Sequence, residues 1–557
     1  MTTKKWSSLQ LAIFDDVANG EGHTVVLARA GSGKTSTICE AVNYIPKIHL
    51  PSTLLVAFSK DVVKELATRI HAKSIKICTL HSMGYRILQQ RYGSVKLNGD
   101  LAADRLTAIV EEDATWDGKL FKHVMRLNGL AKSSLADTEE ELADLADEYD
   151  MTCEVSDDEL ATVVKYTKKL LDASKVVDKA FPQCDFDDMI WLPCVLGISG
   201  KKYARVLVDE TQDLSKSQLT LILMHVAKAG RVMAVGDDRQ AIYRFRGAGD
   251  GSVEYIRSTL NAKVLPLSVS YRCSRNVIKE AKRIVPDIEY APAASDGTVS
   301  YIEKRLVASS VANGDFLISR TNAPLMEMAN RIVSGGKLRV KILGKDLAAR
   351  ICNYIRDSKA KDCIKLIEYA NTNCEKTVSK MVQKDPDIRQ DKLDRVRDWR
   401  DMIIKIAERS SSIDDMVKYV RMVYDNTIPD SECVTLSTVH KAKGLERDNV
   451  FILKDTFFKF KGSTDATSED NIYYVAVTRA RSNLMVAYDH LVTVLGNYVV
   501  PLSDKEYKKI IDRFGRNCPE VYTYVSSRSA KPVFDLKMNR ISDNSIEFFS
   551  SSKDEDD

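Results

Sequence analysis

No apolar run in this chain approaches the roughly 18–20 residues that a membrane-spanning helix requires, so a spanning protein is not expected. The opening MTTKKWSSLQ has no apolar core of the kind a secretory leader carries. The expected location is therefore the cytoplasm, of a bacterium or of a virus-infected cell. None of the 11 cysteines is spaced as CxxC, which argues for free buried thiols over a disulfide framework or a zinc site. Cys352, Cys363 and Cys374 recur at equal intervals and would align on one helical stripe, where thiols act as small hydrophobes. The 8 histidines are too scattered for a metal cluster. Charge of one sign is also scarce: 82 basic against 78 acidic residues leave a net +4. That balance does not announce a polyanionic partner, but permits one if basic groups line a groove. What remains is a soluble composition, 44% hydrophobic and 29% charged, in 557 residues that exceed one hydrophobic core and predict several domains.

Against that background, Thr24–Leu27 reads as an apolar strand running into ARAGSGKT, Ala28–Thr35, with a helix beginning at Lys34. Strand, glycine-bearing loop and helix match a phosphate-binding loop, with Ala28 in its first glycine position. Gly31, Ser32 and Gly33 let backbone N–H groups curl around phosphates at a helix N-terminus. Lys34 is placed to reach the β- and γ-phosphates of ATP, and the Thr35 hydroxyl to ligate Mg²⁺. A second apolar strand, Arg205–Val208, ends in Asp209-Glu210, followed by Thr211-Gln212-Asp213. Adjacent carboxylates at a strand end suit two tasks, Asp209 completing the magnesium shell and Glu210 polarising an attacking water. Taken alone a DE pair is a solvated turn; the phosphate loop gives it the catalytic reading.

A third strand, Val232–Val235, leads into GDDRQAIYRFRGA at 236–248. Gln240 can hydrogen-bond a γ-phosphate or its water, while Tyr243 and Phe245 follow closely as stacking platforms and Arg246 as a backbone contact. Base–aromatic stacking is worth about 1–3 kcal/mol per base and tolerates any sequence. Opening a base-pair step costs about 1.4 kcal/mol, so one or two platforms hold a freed base against reannealing. That combination couples nucleotide hydrolysis to movement along a strand.

Taken together, these residues resemble the superfamily 1 DNA helicases of the UvrD/Rep/PcrA type, across about two-thirds of the chain and in the family's motif order. The resemblance implies ATP, Mg²⁺ and single-stranded DNA or strand–duplex junctions as ligands. By the same resemblance Gln10 would read adenine, and LVAFSK (Leu55–Lys60) would offer Phe58 to a base and Lys60 to the backbone. TLHS (Thr79–Ser82) would place His81 on the strand, and DFDDM (Asp185–Met189) would return the chain from a first insertion. VSYRCS (Val269–Ser274) would set Tyr271 against the adenine and Arg272 on the γ-phosphate. STVHKAKGLE (Ser437–Glu446) would bring His440 to DNA and Glu446 to the ribose, and YYVAVTRAR (Tyr473–Arg481) would supply Arg479 as a second arginine finger. Tyr473 and Tyr474 are read as core aromatics. Three departures stand out. Ser36 replaces an arginine that stacks on adenine, weakening one side of the base clamp. The first DNA motif, AFSKD, resembles the F-box DNA helicase branch. Phe245 replaces a tryptophan.

The implied fold is α/β, with two RecA-like parallel-sheet motor domains of the phosphate-loop NTPase class, each bearing a mainly helical insertion. Expected boundaries are 1–88 with 183–264 for the first motor domain and 89–182 for its insertion. The second motor domain is expected at 265–344 with 431–500, its short insertion at 345–430, and a C-terminal extension at 501–557. In the first insertion, the acidic run 137–158 and the later lysines read as solvated faces, the basic half bordering a nucleic-acid path. In the second, Ser412 caps a helix and Met416, Val420, Val423 and Tyr424 form an apolar stripe. The acidic tip at 550–557 reads as disordered, or as competing with DNA or docking on replication or recombination proteins. The expected activity is ATP-dependent 3′→5′ translocation and unwinding in replication, recombination or repair. The alternatives are a translocase that strips proteins from single strands, and a nucleotide-switched binding protein without movement.

Overall fold

A computed structural model of the chain describes residues 5–111, 113, 116–149, 151, 155–242, 252–384, 388, 390–457, 466–489, 492–495, 498–501, 536–540 and 546–550. The chain forms two compact units: 1–294 with 375–393 and 465–478, and 295–374 with 394–464 and 479–557.

The first unit is built on six parallel strands: β1 (Thr24–Ala28), β2 (Thr53–Ala57), β3 (Lys76–Thr79), β4 (Tyr203–Val208), β5 (Val226–Gly236) and β6 (Lys263–Leu267). Their order is β3-β2-β4-β5-β1-β6. The strands are apolar on both faces, as a parallel sheet covered on each side requires. Val25, Leu54, Val56, Val206, Val208, Val232 and Ala234 fill one core, and their chain neighbours Val26, Leu55, Ala57, Leu207, Met233 and Val235 fill the other. Pro266, which donates no hydrogen bond, is accommodated on the edge strand β6. Four helices follow early strands or precede them: α1 (Ser8–Asn19), α2 (Lys34–Ala41), α3 (Lys60–Arg69) and α4 (Leu80–Tyr92). Each has a local start signal. Ser7 and Gln10 close a capping box on α1, Ser59 caps α3, and Thr79 of TLHS caps α4 through the Ser82 N–H.

Between β3 and β4 the chain adds α5 (Leu101–Glu111), α6 (Phe121–Ser134), α7 (Glu139–Glu148) and α8 (Asp157–Lys175) around their own apolar core. The acidic run opens α7 and α8 through capping boxes, where carboxylates favour the helix dipole. The lysines of α8 are not a free basic face: Lys168 and Lys175 pair with Asp172 and Asp137, and Lys165 and Lys169 sit over the Tyr166 ring. At the root of the insertion, DFDDM locks onto α6. Buried Lys132 bonds Asp185 at 3.0 Å and Asp188 at 2.7 Å, with the Trp191 ring at 5.4 Å.

The first unit continues past the expected changeover at 264–265, as far as Ala294. The physical reason is that this segment is tied to the phosphate loop. The Arg29 N–H donates to the Leu267 carbonyl, the Tyr271 N–H to the Gly31 carbonyl, and the Arg29 guanidinium to Asp287.

The second unit also carries a six-stranded parallel sheet: β7 (Thr298–Glu303), β8 (Phe316–Ser319), β9 (Val340–Ile342), β10 (Val434–Thr438), β11 (Arg447–Leu453) and β12 (Ala480–Tyr488), in the order β7-β12-β11-β8-β10-β9. Helices Lys345–Asp357, Gln390–Arg409 and Ile413–Val423 and the first part of Cys363–Lys384 pack over one face. The expected stripe is core: Met416, Val420, Val423 and Tyr424 are all buried, and Ser412 accepts the Asp415 N–H. The cysteine stripe is corrected. A break between the helices puts Cys352 on one and Cys363 and Cys374 on the next, all as free thiols. Among the described residues no helix is long and apolar enough to cross a membrane, and no cluster of metal-ligating side chains forms. The acidic tip 551–557 lies outside the described residues.

Candidate nucleotide and nucleic-acid site

β1 lies between β5 and β6, so the loop at its carboxyl end emerges inside the first sheet rather than at its rim. Gly31 and Gly33 both hold positive φ, 72° and 82°. A Cβ on Gly31 would lie 2.5 Å from the Arg272 Cβ and 2.6 Å from the Ser270 hydroxyl, so only glycine fits where VSYRCS closes on the loop. Two buried hydroxyls here, Ser32 and Ser270, have no hydrogen-bond partner. Orphaned buried polar atoms beside a left-handed, glycine-bearing turn fit a group rich in acceptor oxygens, as a polyphosphate is.

Lys34 opens α2, and its ammonium meets Glu210 at 2.9 Å. Burial alone would depress the Lys34 pKa; Glu210, Asp237 and Asp209 together outweigh it and raise it. Glu210 holds a left-handed backbone, φ 50°, that non-glycine residues adopt at a cost of about 1–3 kcal/mol. Its N–H donates to Asp209 at 2.9 Å, and its carboxylate also accepts Gln212 Nε2 at 2.5 Å. Buried Asp209 is pushed up to about 7 by burial and then by Glu210. A cation brought to that carboxylate would offset the repulsion from Glu210 and favour the charged form despite burial. Thr35 stands in the first turn of α2.

The strand-end glutamine is part of the same centre. Gln240 is buried, and its Nε2 donates to Asp237 Oδ2 at 2.7 Å. Gln212 bridges the two acidic turns, since its Oε1 accepts the Asp237 N–H at 3.0 Å. Lys34, Glu210, Gln212, Asp237 and Gln240 therefore form one hydrogen-bonded chain.

The other predicted nucleotide residues divide between the units. Gln10 is buried beside α2, but its amide is engaged by the protein, Oε1 by the Ser7 N–H at 3.0 Å and Nε2 by Thr37 at 3.0 Å. Ser36 accepts Arg69 Nη2 at 2.7 Å, so a guanidinium does approach the start of α2, from α3. Tyr271 is exposed, and Arg272 lies against Gly31. In the second unit, Arg479 is buried with Nη1 donating to the Leu445 carbonyl at 3.3 Å, and Glu446 pairs with Arg481 at 3.2 Å.

Of the strand-contacting candidates, Phe58 is 52% exposed directly after β2, with Lys60 and His81 exposed at the starts of α3 and α4. His440 is half-buried after β10 in the second unit. Tyr243, Phe245 and Arg246 lie outside the described residues. Sequence reasoning missed roles for Arg29, Gln212 and Tyr474. Phe186, the aromatic of DFDDM, is 56% exposed. The partners of Arg29 and Tyr474 lie hundreds of residues away, and no local spacing signals them.

Two family models match the chain, the UvrD/REP helicase N-terminal domain over residues 11–259 and the UvrD-like helicase C-terminal domain over residues 355–490. Among curated proteins, the chain is similar to the ATP-dependent DNA helicase PcrA of Bacillus subtilis, 28% identical over 48% of this chain and 38% of the relative. The ATP-dependent DNA helicase Rep of Buchnera aphidicola is 26% identical over 51% of this chain and 44% of that protein. Rep of Escherichia coli is 27% identical over 47% and 41%. The match thus spans about two-fifths of the length of these relatives.

Proposed function

Since the chain belongs to the UvrD/Rep/PcrA-type superfamily 1 helicases, we propose that it hydrolyses ATP to move 3′→5′ along single-stranded DNA and to separate duplex ahead of it. The observation that carries this reading is the hydrogen-bonded chain from Lys34 through Glu210 and Gln212 to Asp237 and Gln240. It joins the phosphate loop to the strand end from which the aromatic loop departs.

The residues divide the work. Gly31, Ser32, Gly33 and Lys34 cradle and neutralise the phosphates, and Lys34 exchanges Glu210 for a phosphate oxygen as nucleotide binds. Thr35 and Asp209 hold Mg²⁺, which supplies charge neutralisation of the leaving phosphates. Glu210, freed of Lys34, polarises the attacking water, and Gln240 orients it. Arg272 and Arg479 stabilise charge on the transferred group, a contribution of about 10³–10⁵ in rate for an arginine finger. Ala28 opens the phosphate loop, and Gln10, Ser36, Tyr271 and Glu446 border the base and ribose. Phe58, Tyr243 and Phe245 stack on bases, with Lys60, His81, Arg246 and His440 on the strand. Strand–duplex junctions are the proposed substrate, and replication, recombination or repair the proposed setting.

Unwinding of duplexes carrying 3′ or 5′ single-stranded tails tests the reading, alongside ATPase with and without single-stranded DNA. The expected result is strong DNA stimulation and unwinding from the 3′ tail alone. Stimulation without unwinding would assign a stripping translocase, and no stimulation a nucleotide-switched binder.

A further inference from the structure

Tyr474 has no exposed surface, and its ring fills space that phenylalanine would fill equally well. Its hydroxyl does more than pack. It accepts the N–H of Ala30, inside the phosphate loop, at 2.9 Å. Because a backbone N–H can only donate, the single phenol proton is left for Asp237 Oδ2, 3.3 Å away. Burying a hydroxyl is costly unless it is hydrogen-bonded, and this one is satisfied on both sides.

Asp237, also fully buried, is the hub. Oδ1 accepts Arg29 Nη1 and the Arg239 N–H, both at 3.1 Å, while Oδ2 accepts Tyr474 and, at 2.7 Å, Gln240 Nε2. Arg29 is itself fixed by Asp238 at 2.5 Å and Asp287 at 2.7 Å. The oxygen that orients the Gln240 amide is thus the one that Tyr474 holds, and the same hydroxyl anchors the loop that carries Lys34.

We propose that Tyr474 is a positioning residue for ATP hydrolysis: through Asp237 it sets the Gln240 amide relative to the phosphate loop. The proposal rests on the helicase reading, in which Gln240 orients the attacking water. Tyr474 acts through Asp237 and Gln240 and has no contact with substrate assigned to it.

A double-mutant cycle on the full chain tests this, with DNA-stimulated ATPase as readout and fluorescent ATP-analogue binding and thermal melting as controls. Gln240→Ala should lower kcat by about 10²-fold, in the range of losing one aligned polar group. Tyr474→Phe should lower kcat by about tenfold, with KM for ATP and analogue affinity held within about twofold, the pattern of a lost transition-state interaction. The double variant should be no slower than Gln240→Ala alone, because the hydroxyl works through that amide. Multiplying losses, or unchanged kcat in Tyr474→Phe while Gln240→Ala is impaired, would overturn the proposal and leave the helicase reading intact. Loss of analogue binding or melting temperature in step with kcat would also overturn it, assigning a purely structural role. Unimpaired Gln240→Ala would sink the reading of Gln240 and this inference with it.

Discussion

At Lys34, burial disfavours the ammonium and three carboxylates more than compensate, so the side chain stays charged where a polyphosphate needs it. Lys34→Ala leaves Glu210, Asp209 and Asp237 crowded without that cation. It is expected to abolish ATP hydrolysis, whereas Phe58→Ala should keep basal turnover and lose most of its stimulation by single-stranded DNA. Equal loss of basal activity in both variants would contradict the division between phosphate and base contacts. A second residue-scale consequence concerns pH. Buried His225 accepts the Gly200 N–H on Nε2 at 3.0 Å and donates Nδ1–H to the Leu221 carbonyl at 2.7 Å, an arrangement that requires the neutral ring. Its pKa is lowered, by burial first, with Lys202 assisting. A depressed folded-state pKa contributes stability above the unfolded value near 6.5, and that contribution is lost as pH falls through the folded value. Each unit of depression corresponds to about 1.4 kcal/mol. Denaturant midpoints should therefore fall as pH drops below about 6.5. In His225→Phe, less stable at neutral pH because the Gly200 N–H loses its acceptor, that part of the slope should vanish.

Among the elements, the helix Ile413–Val423 separates local from tertiary stabilisation. Ser412 satisfies one terminal N–H, and Ser412→Ala is expected to cost about 1 kcal/mol. Met416 is fully buried in the core over the second sheet, and Met416→Ala should cost about 2–5 kcal/mol through lost burial and a cavity. Chemical denaturation of the two variants measures the difference, and a cap more costly than the core would reverse this account. The helix was readable because cap and stripe fall within a dozen residues. So were the strands leading into the phosphate loop, the acid pair and the glutamine loop, since short continuous apolar runs ended at turn chemistry. The helix Ala466–Val477 was not readable in the same way. Its tyrosines look like core aromatics, and only the fold brings Tyr474 to Ala30 and Asp237.

For the whole molecule, a net charge of +4 gives little long-range attraction, and two lysines of α8, Lys168 and Lys175, are paired with acidic partners. Strand binding is therefore expected to depend on a few local cations such as Lys60. Raising salt from about 50 to 200 mM should weaken binding to single-stranded DNA, with a log–log slope near −0.7 per phosphate contact. Lys60→Ala should reduce that slope by roughly one contact, and an unchanged slope would remove Lys60 from the strand path.

The two parallel sheets, the phosphate loop, the carboxylate pair at a strand end and the glutamine beyond β5 were determined by sequence alone. Each depends on short apolar runs and turn residues within a few positions, and the order of motifs carried the family resemblance. The tertiary structure decided which groups share a charge. It gave Lys34 to Glu210, made Gln212 a bridge, committed the Gln10 amide to Ser7 and Thr37, and brought Arg69 to Ser36. It also extended the first unit to Ala294 and gathered Arg29, Asp237 and Tyr474 around one buried oxygen pair. Those choices depend on hydrogen bonds between groups distant in the chain, whose strength comes from burial, and burial is a property of the folded molecule.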